Sequence, residues 1–339
     1  MNMKRIAVAS LWAFGVSLSA CAQTASTEPV LSLSKGSGQA YPNRPVRIVM
    51  PFPAGTSSND VLGRALAQRL SEPLGHQVIF ENRSGAGGTV GTEMVAKAPP
   101  DGYTLLLAVT GPLTIAPSVY PKLGYDTLRD FAPVAMVALI PYIIVVHPSV
   151  PAKNMKELIA LAKAQPGALR FASAGTGGTP HLCVELLKQR AGIDMLHIPY
   201  KGGAPAMIDT IAGQTQLYCS SVTGAAPFIK QGKIRGLGVT TLKRSPVLPD
   251  LPTLDEQGLK GFDVSQWMGI AAPAKTPQPI VQRLYQDIAR VVNSPEYTKF
   301  VLQQGSEPAL MGPEEFGTLI RNELDRWSKL VKSARVTVE

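Results

Sequence analysis

The sequence predicts an α/β protein of two lobes, each a doubly wound, mostly parallel sheet, with a ligand cleft between them. Three observations carry this expectation. Apolar, β-branched runs alternate with helix-period segments through short links, the order that builds parallel sheets covered by helices on both faces. That order restarts after residue 140 instead of running on as one array. Each half also contains a stretch with the same grammar, VRIVMPFPAGTSSND at 46–60 and LRFASAGTGGTPH at 169–181. In both, an apolar run gives way to small and hydroxylated residues and then to a helix pattern. Glycines let the backbone approach a ligand closely, and a helix N-terminus offers unpaired N–H groups at the positive end of its dipole. Two such anion cradles suggest two lobes facing one ligand.

The elements follow in order. VRIVMPF (46–52) is a predicted strand, and Asn59 or Asp60 is suited to cap the next helix. That helix, VLGRALAQRLSEPLG, keeps apolar residues at 61, 62, 65, 66 and 70, a helical spacing. HQVIFENR (76–83) is a second strand, followed by a glycine turn and a short helix stopped by Pro99 and Pro100. YTLLLAVTGP (103–112) is a third strand. The run from Phe131 to Val146 carries no charge and is interrupted by Pro133 and Pro141. It falls short of the roughly 20 apolar residues of a membrane span, so buried strands crossing between lobes are expected. The second half reads as a helix capped by Asn154, strand LRFASAG, helix PHLCVELLKQRAGI, strand MLHIPYKG, helix APAMIDTIAGQ, strand TQLYCSS, helix GAAPFIKQGK and strand IRGLGVTT. VSQWMGIAAPA (264–274) is a strand leading out. Two helices, PQPIVQRLYQDIARVVNS and PEEFGTLIRNELDRWSKLVKSA, close the chain and are expected to return to the first lobe. Lobe 1 is thus expected to hold 41–139 and 269–339, and lobe 2 to hold 140–268.

The first residues have the form of an export signal over 1–22. Lys4 and Arg5 precede an apolar stretch from Ile6 to Leu18. Leu18-Ser19-Ala20-Cys21 has the form of a lipobox, with Cys21 the lipidated residue; Ala20-x-Ala22 offers ordinary cleavage instead. Residues 23–40, rich in Ser, Thr and Gly, suit a flexible tether and so favour the lipid anchor. Either route places the mature protein outside the cytoplasm, in the periplasm, with the membrane met only through that anchor.

Composition narrows the function. The 339 residues carry a net charge of +9, but no Lys/Arg run exceeds two residues. Nucleic-acid binding calls for a clustered basic stripe, whereas a diffuse positive field suits the steering of small anions. No G-x-S-x-G elbow and no G-x-x-x-x-G-K-[ST] loop occurs. The histidines at 76, 147, 181 and 197 lack metal-site companions. Gly85-x-Gly87-x-x-x-Gly91 is one residue too long for a dinucleotide fingerprint. No catalytic residue, metal or cofactor is therefore expected, and no enzyme.

In an open parallel sheet ligands sit beyond the carboxyl ends of the strands. The candidates there are Thr56, Ser57, Ser58 and Asn59, with Thr110 after the third strand, and Ser173, Gly175, Thr176, Gly177 and Thr179 facing them. No arginine lies within either cradle, so neutral donors and backbone dipoles would hold a carboxylate. His181, where a lobe-2 helix begins, suits either a structural hydrogen bond or a ligand contact. Asp60 is expected to cap its helix, and Asp209 to brace a loop. Cys183 and Cys219 fall at one edge of the second sheet, and both a disulfide and two free thiols fit that placement.

Four segments, YPNRPVRIVMPFPAG, ENRSGAGGTVGTEMVAKAPPDGYTLL, SAGTGGTPHLCVELLKQRAGI and HIPYKGGAPAMID, appear in this order. Together they resemble the Bug family, the extracytoplasmic solute-binding proteins of tripartite tricarboxylate transporters. The resemblance runs from Tyr41 to about Glu339. It implies a two-lobed periplasmic binding protein fold of type II character that closes on a small mono- or dicarboxylate. It implies contacts from the loops matching 52–60 and 173–181, which adds Phe52 and Ala54, and membrane permease subunits as partners of a monomer. A ligand sensor feeding a two-component system is the alternative. The chain departs from the family pattern after Gly55, where Thr56 replaces a second glycine and Asp60 comes one residue late, and again at Cys219-Ser220.

Overall fold

The computed structural model describes residues 41–55 and 58–336. The signal, Cys21, the tether, Thr56 and Ser57 lie outside the described residues.

The first half opens with strands β1 (Val46–Met50), β2 (Val78–Asn82) and β3 (Thr104–Val109), with helices α1 (Ser58–Leu74) and α2 (Thr89–Ala96) between them. A turn of π-helix, Gly111–Ile115, and two short helices, α3 (Ala116–Val119) and α4 (Thr127–Asp130), lead into β4 (Phe131–Val146). The second half contains α5 (Met155–Ala164), β5 (Arg170–Ser173), α6 (Thr179–Ala191), β6 (Leu196–Pro199), α7 (Gly203–Ile211), β7 (Leu217–Ser221), α8 (Val222–Lys230) and β8 (Arg235–Val239). The chain returns through β9 (Ser265–Pro273) and ends with α9 (Gln278–Val292), α10 (Pro295–Gln303), β10 (Glu307–Met311) and α11 (Pro313–Ala334).

β1 pairs in parallel with β2 and β3, and β5 pairs in parallel with β6 and β7. The antiparallel pairs all involve the crossing strands β4 and β9. The two halves therefore share one sheet, in the order β2-β1-β3-β9-β4-β7-β5-β6.

The uncharged run is one 16-residue strand rather than several. Pro133 sits beside a register shift, where a missing N–H is tolerated. Pro141 is the last residue of β4 to pair with β9; from Tyr142 onward β4 pairs with β7. A residue without an amide thus falls where the strand exchanges partners. Tyr142 and Gln266 clasp the two crossing strands there, the phenol donating to Oε1 at 2.6 Å.

Each half buries two layers of side chains, one on either face of its sheet. Leu62, Leu66 and Leu70 of α1 pack with Leu284 and Ile288 of α9 on one face of the first half. Val95 of α2 and Phe316 and Ile320 of α11 cover the other. In the second half, Leu158 of α5 and Leu182 and Leu187 of α6 cover one face, and Met207 of α7 and Ala225 of α8 the other.

Several sequence expectations change. α11 does not stay with the first half: its Trp327, Leu330 and Val331 are buried in the second-half core, as is Val119 of α3. α10 and β10 were not foreseen; Glu307-Pro308-Ala309-Leu310-Met311 has little β-branching, and β10 forms because β4 offers it an edge. Asn154 does cap α5, accepting from Glu157 N–H at 2.9 Å. Asp60, by contrast, lies inside the first turn of a helix that already begins at Ser58. Of the two alternatives open for Cys183 and Cys219, the structure shows free, buried thiols. They do meet as the strand order foresaw, and burial followed by mutual contact pushes the Cys219 thiol well above its ordinary value. Buried in apolar surroundings, a thiol stays protonated and unreactive.

Candidate ligand-binding site

The loops after β1, β3, β5, β6 and β7 all leave the carboxyl ends of their strands. In the first half, the loop from Pro51 to Gly55 is held from behind. Asp60, 2 % exposed, accepts from Gly55 N–H at 2.9 Å, from Asn82 Nδ2 at 2.8 Å and from Arg64 Nε at 3.0 Å. Asn82 Nδ2 also donates to Phe52 O at 2.9 Å. Burial pushes the Asp60 carboxyl upward, but bonds from Arg64, Asn82 and Gly55 outweigh it and hold it below the ordinary value. Asp60 is therefore a brace, while Ala54 and Gly55 stay exposed and Phe52 half-buried. The glycines of the near-fingerprint serve packing: a Cβ on Gly91 would fall 2.4 Å from Arg83 O, so only glycine lets α2 approach the backbone just beyond β2.

In the second half the loop 174–178 rests on a stack of rings, Phe171 and His181 buried and His197 half-buried. His181 and His197 lie 3.8 Å apart at 10°, and Phe171 continues the stack 4.9 Å from His197. His181 Nδ1 accepts from Gly177 N–H at 3.0 Å. Ser173 Oγ donates to Gly175 O at 3.1 Å, accepts from Gly175 N–H at 3.2 Å and lies 2.6 Å from His197 Nε2. With its proton on Gly175 O, Ser173 leaves His197 as the donor. Burial, then the neighbouring His181, push His197 down to about 3, which keeps that ring neutral. Glu185 and Lys188 close the base of the stack, 3.0 Å apart. Gly177 has φ 75° and would bring a Cβ within 2.8 Å of Val119, so the cradle tip needs glycine for both conformation and room.

A second brace serves the same cradle. Tyr200 N–H donates to Ser173 O at 3.0 Å, and its phenol donates to Asp209 Oδ2 at 2.7 Å. Burial, then Asp209, push the Tyr200 phenol up to about 12. α6 begins at Gly178 with no side chain capping it, which leaves its start to donate outward.

The halves meet at these loops. Ser58 Oγ at the start of α1 lies 3.4 Å from Ser221 Oγ at the end of β7. Thr223 donates to Gln304 O beside it.

The sequence-predicted residues thus divide by their spare bonding capacity. Ser173 and Thr110 are fully buried and spent on the protein, Thr110 Oγ1 accepting from Trp267 N–H at 3.0 Å. His181 is 4 % exposed and spent on Gly177. Ser58 reaches Ser221, and Gly175 and Gly177 donate their N–H groups to Ser173 and His181. Thr176 is half-buried and Thr179 buried at the start of α6, while the buried Asn59 carboxamide oxygen has no partner. His197, Ser221 and Tyr142 were missed as contributors; the one available signal was their place at or near strand ends.

Two surface hollows lie elsewhere. One of about 560 Å³ sits at the starts of α9 and α11 beside Glu314 and Glu315, carboxylates that would repel an anion. The other, about 310 Å³, lies beside Tyr120 and Leu324. No group of three metal-suited side chains occurs among the described residues. No helix among them is long and apolar enough to cross a membrane.

Residues 62–336 match the model of the tripartite tricarboxylate transporter family receptor. The chain belongs to this family of solute-binding receptors. It is similar to BugT of Bordetella pertussis, with 35 % identity over 87 % of this chain and 91 % of that protein. Among solved structures, it is similar to R. palustris Rpa4515 with adipate, at 35 % identity and TM-score 0.82, covering 88 % of this chain and all of that one. It is also similar to MatC from Rhodopseudomonas palustris with bound malate, at 31 % identity and TM-score 0.77, covering 86 % of this chain and all of the other. Membership of this receptor family agrees with the Bug resemblance and with the two-lobed α/β fold.

Proposed function

We propose that this receptor captures a small organic mono- or dicarboxylate between its two halves and presents it to the permease subunits of a tripartite tricarboxylate-type transporter. One observation carries the reading: the start of α1 meets the end of β7 and the start of α8 where Ser58 approaches Ser221, and neither loop contains a cationic side chain. Backbone N–H groups and helix dipoles then supply the positive potential. Relatives solved with adipate and malate support this chemistry. In this reading residues 1–22 direct export to the periplasm, with Cys21 lipidated and 23–40 as its tether. Lobe 1 comprises 41–139 and 269 to the middle of α11; lobe 2 comprises 140–268 and takes up the end of that helix.

Thermal shift and calorimetry of the mature protein against a carboxylate panel test the proposal. A ligand at 100 times its Kd adds about 2.7 kcal/mol of stability. Failure of every organic carboxylate to stabilise or to release heat overturns it.

A further inference from the structure

Among the buried polar groups of the described residues that lack a hydrogen-bond partner, Asn59 is the one at the start of α1. It is 5 % exposed, and its Oδ1 has no hydrogen-bond partner. Its neighbours are accounted for: Ser58 reaches Ser221, and the Asp60 carboxylate is filled by Gly55, Asn82 and Arg64. On α1, Asn59 precedes Leu62, Gly63, Leu66 and Leu70 at helical spacing, the face that packs on the sheet. Asn59 is one turn beyond that packed face, toward the carboxyl ends of the strands, where the loops converge. A buried polar atom without a partner is uncommon in native proteins and calls for a reason.

We infer that the Asn59 carboxamide is a specificity-determining contact, and that its oxygen reads a hydrogen-bond donor on the ligand. This rests on the receptor reading above. A carboxylate has no proton to give, and the helix starts already supply its donors. The acceptor at Asn59 therefore selects a carboxylate that also carries a hydroxyl or amide N–H. A site built to bond such a group rejects the analogue lacking it, because the buried acceptor is then left unpaired.

The test compares succinate, L-malate, D-malate and succinamate on wild type and Asn59→Leu, which keeps the branched shape and removes the polar atoms. Wild type is expected to favour one of the donor-bearing ligands over succinate by at least tenfold, about 1.4 kcal/mol. Asn59→Leu is expected to reduce that preference below threefold, chiefly by weakening the donor-bearing ligand, with Tm unchanged or raised. Loss of all ligands in equal proportion would mean that the amide N–H₂ serves the carboxylate, and overturns the inference. A fall in Tm with ligand preference intact marks a purely structural asparagine and also overturns it. Wild type that binds carboxylates without discrimination does the same. If no carboxylate binds wild type, the receptor reading falls and takes this inference with it.

Discussion

The hydroxyl of Ser58 lies 3.4 Å from that of Ser221, although 163 positions separate them in the chain. One belongs to the first helix turn after β1, the other to the end of β7, so their approach brings the two halves together at the loops. A Ser58→Cys/Ser221→Cys pair is therefore expected to cross-link on oxidation. The oxidised protein should neither take up nor release ligand, and the reduced one should exchange it at the wild-type rate. Native Cys183 and Cys219 are buried and should not interfere. Rapid ligand exchange by the oxidised variant would show that these loops do not gate access.

Asp60→Ala removes the acceptor shared by Gly55, Arg64 and Asn82, leaving Arg64 only Asn82 Oδ1 and Asn82 only Phe52 O as acceptors. Arg64 is about half exposed, which limits its share. The expected cost is about 1–3 kcal/mol by chemical denaturation, with ligand affinity lowered at least tenfold. Asp60→Asn, which keeps part of the geometry, should lose less of both.

His197 gives the protein an acid-sensitive element. Its folded-state value, about 3, lies below the ordinary 6.5, so as pH falls the unfolded chain takes up a proton that the folded ring refuses. Stability is therefore whole above about pH 6.5 and declines by roughly 1 kcal/mol per pH unit toward pH 3. His197→Gln, with no titrating group, should show a shallower decline over this window. Parallel stability curves for the two proteins would exclude the effect.

Trp327 is fully buried and donates to Glu323 Oε2 at 2.5 Å. Trp327→Ala should cost about 3–5 kcal/mol. Since α11 enters the cores of both halves, calorimetry should still show one unfolding transition, at lower temperature. Two separated transitions would mean that the halves unfold independently.

Much of this was legible because it follows from local pattern. The two parallel three-strand runs, the Asn154 cap and the pairing of LRFASAG with TQLYCSS follow from periodicity and connection rules. The cradles were visible as glycine and hydroxyl residues between strand and helix. Which of their side chains remain available was not visible. Ser173 and His181 look alike to Asn59 in sequence, yet they are consumed by Gly175, His197 and Gly177, while the Asn59 oxygen is not. Those partners come from neighbouring strands and turns, so no local spacing announces them. β10 and the division of α11 were hidden for a similar reason: each depends on what β4 and the second core leave uncovered.

By itself, then, the sequence determined a two-lobed α/β receptor with a glycine- and hydroxyl-rich loop after a strand in each half, because periodicity, turn residues and motif order are written along the chain. Tertiary structure alone decided how the halves join. β4 runs unbroken through both, exchanging partners at Pro141, and α11 closes both cores. It also decided that Asn59, among several polar neighbours, keeps a buried acceptor unspent. The physical reason is the same in each case: hydrogen bonds and burial are settled between residues far apart in the chain, and only folding brings them within reach.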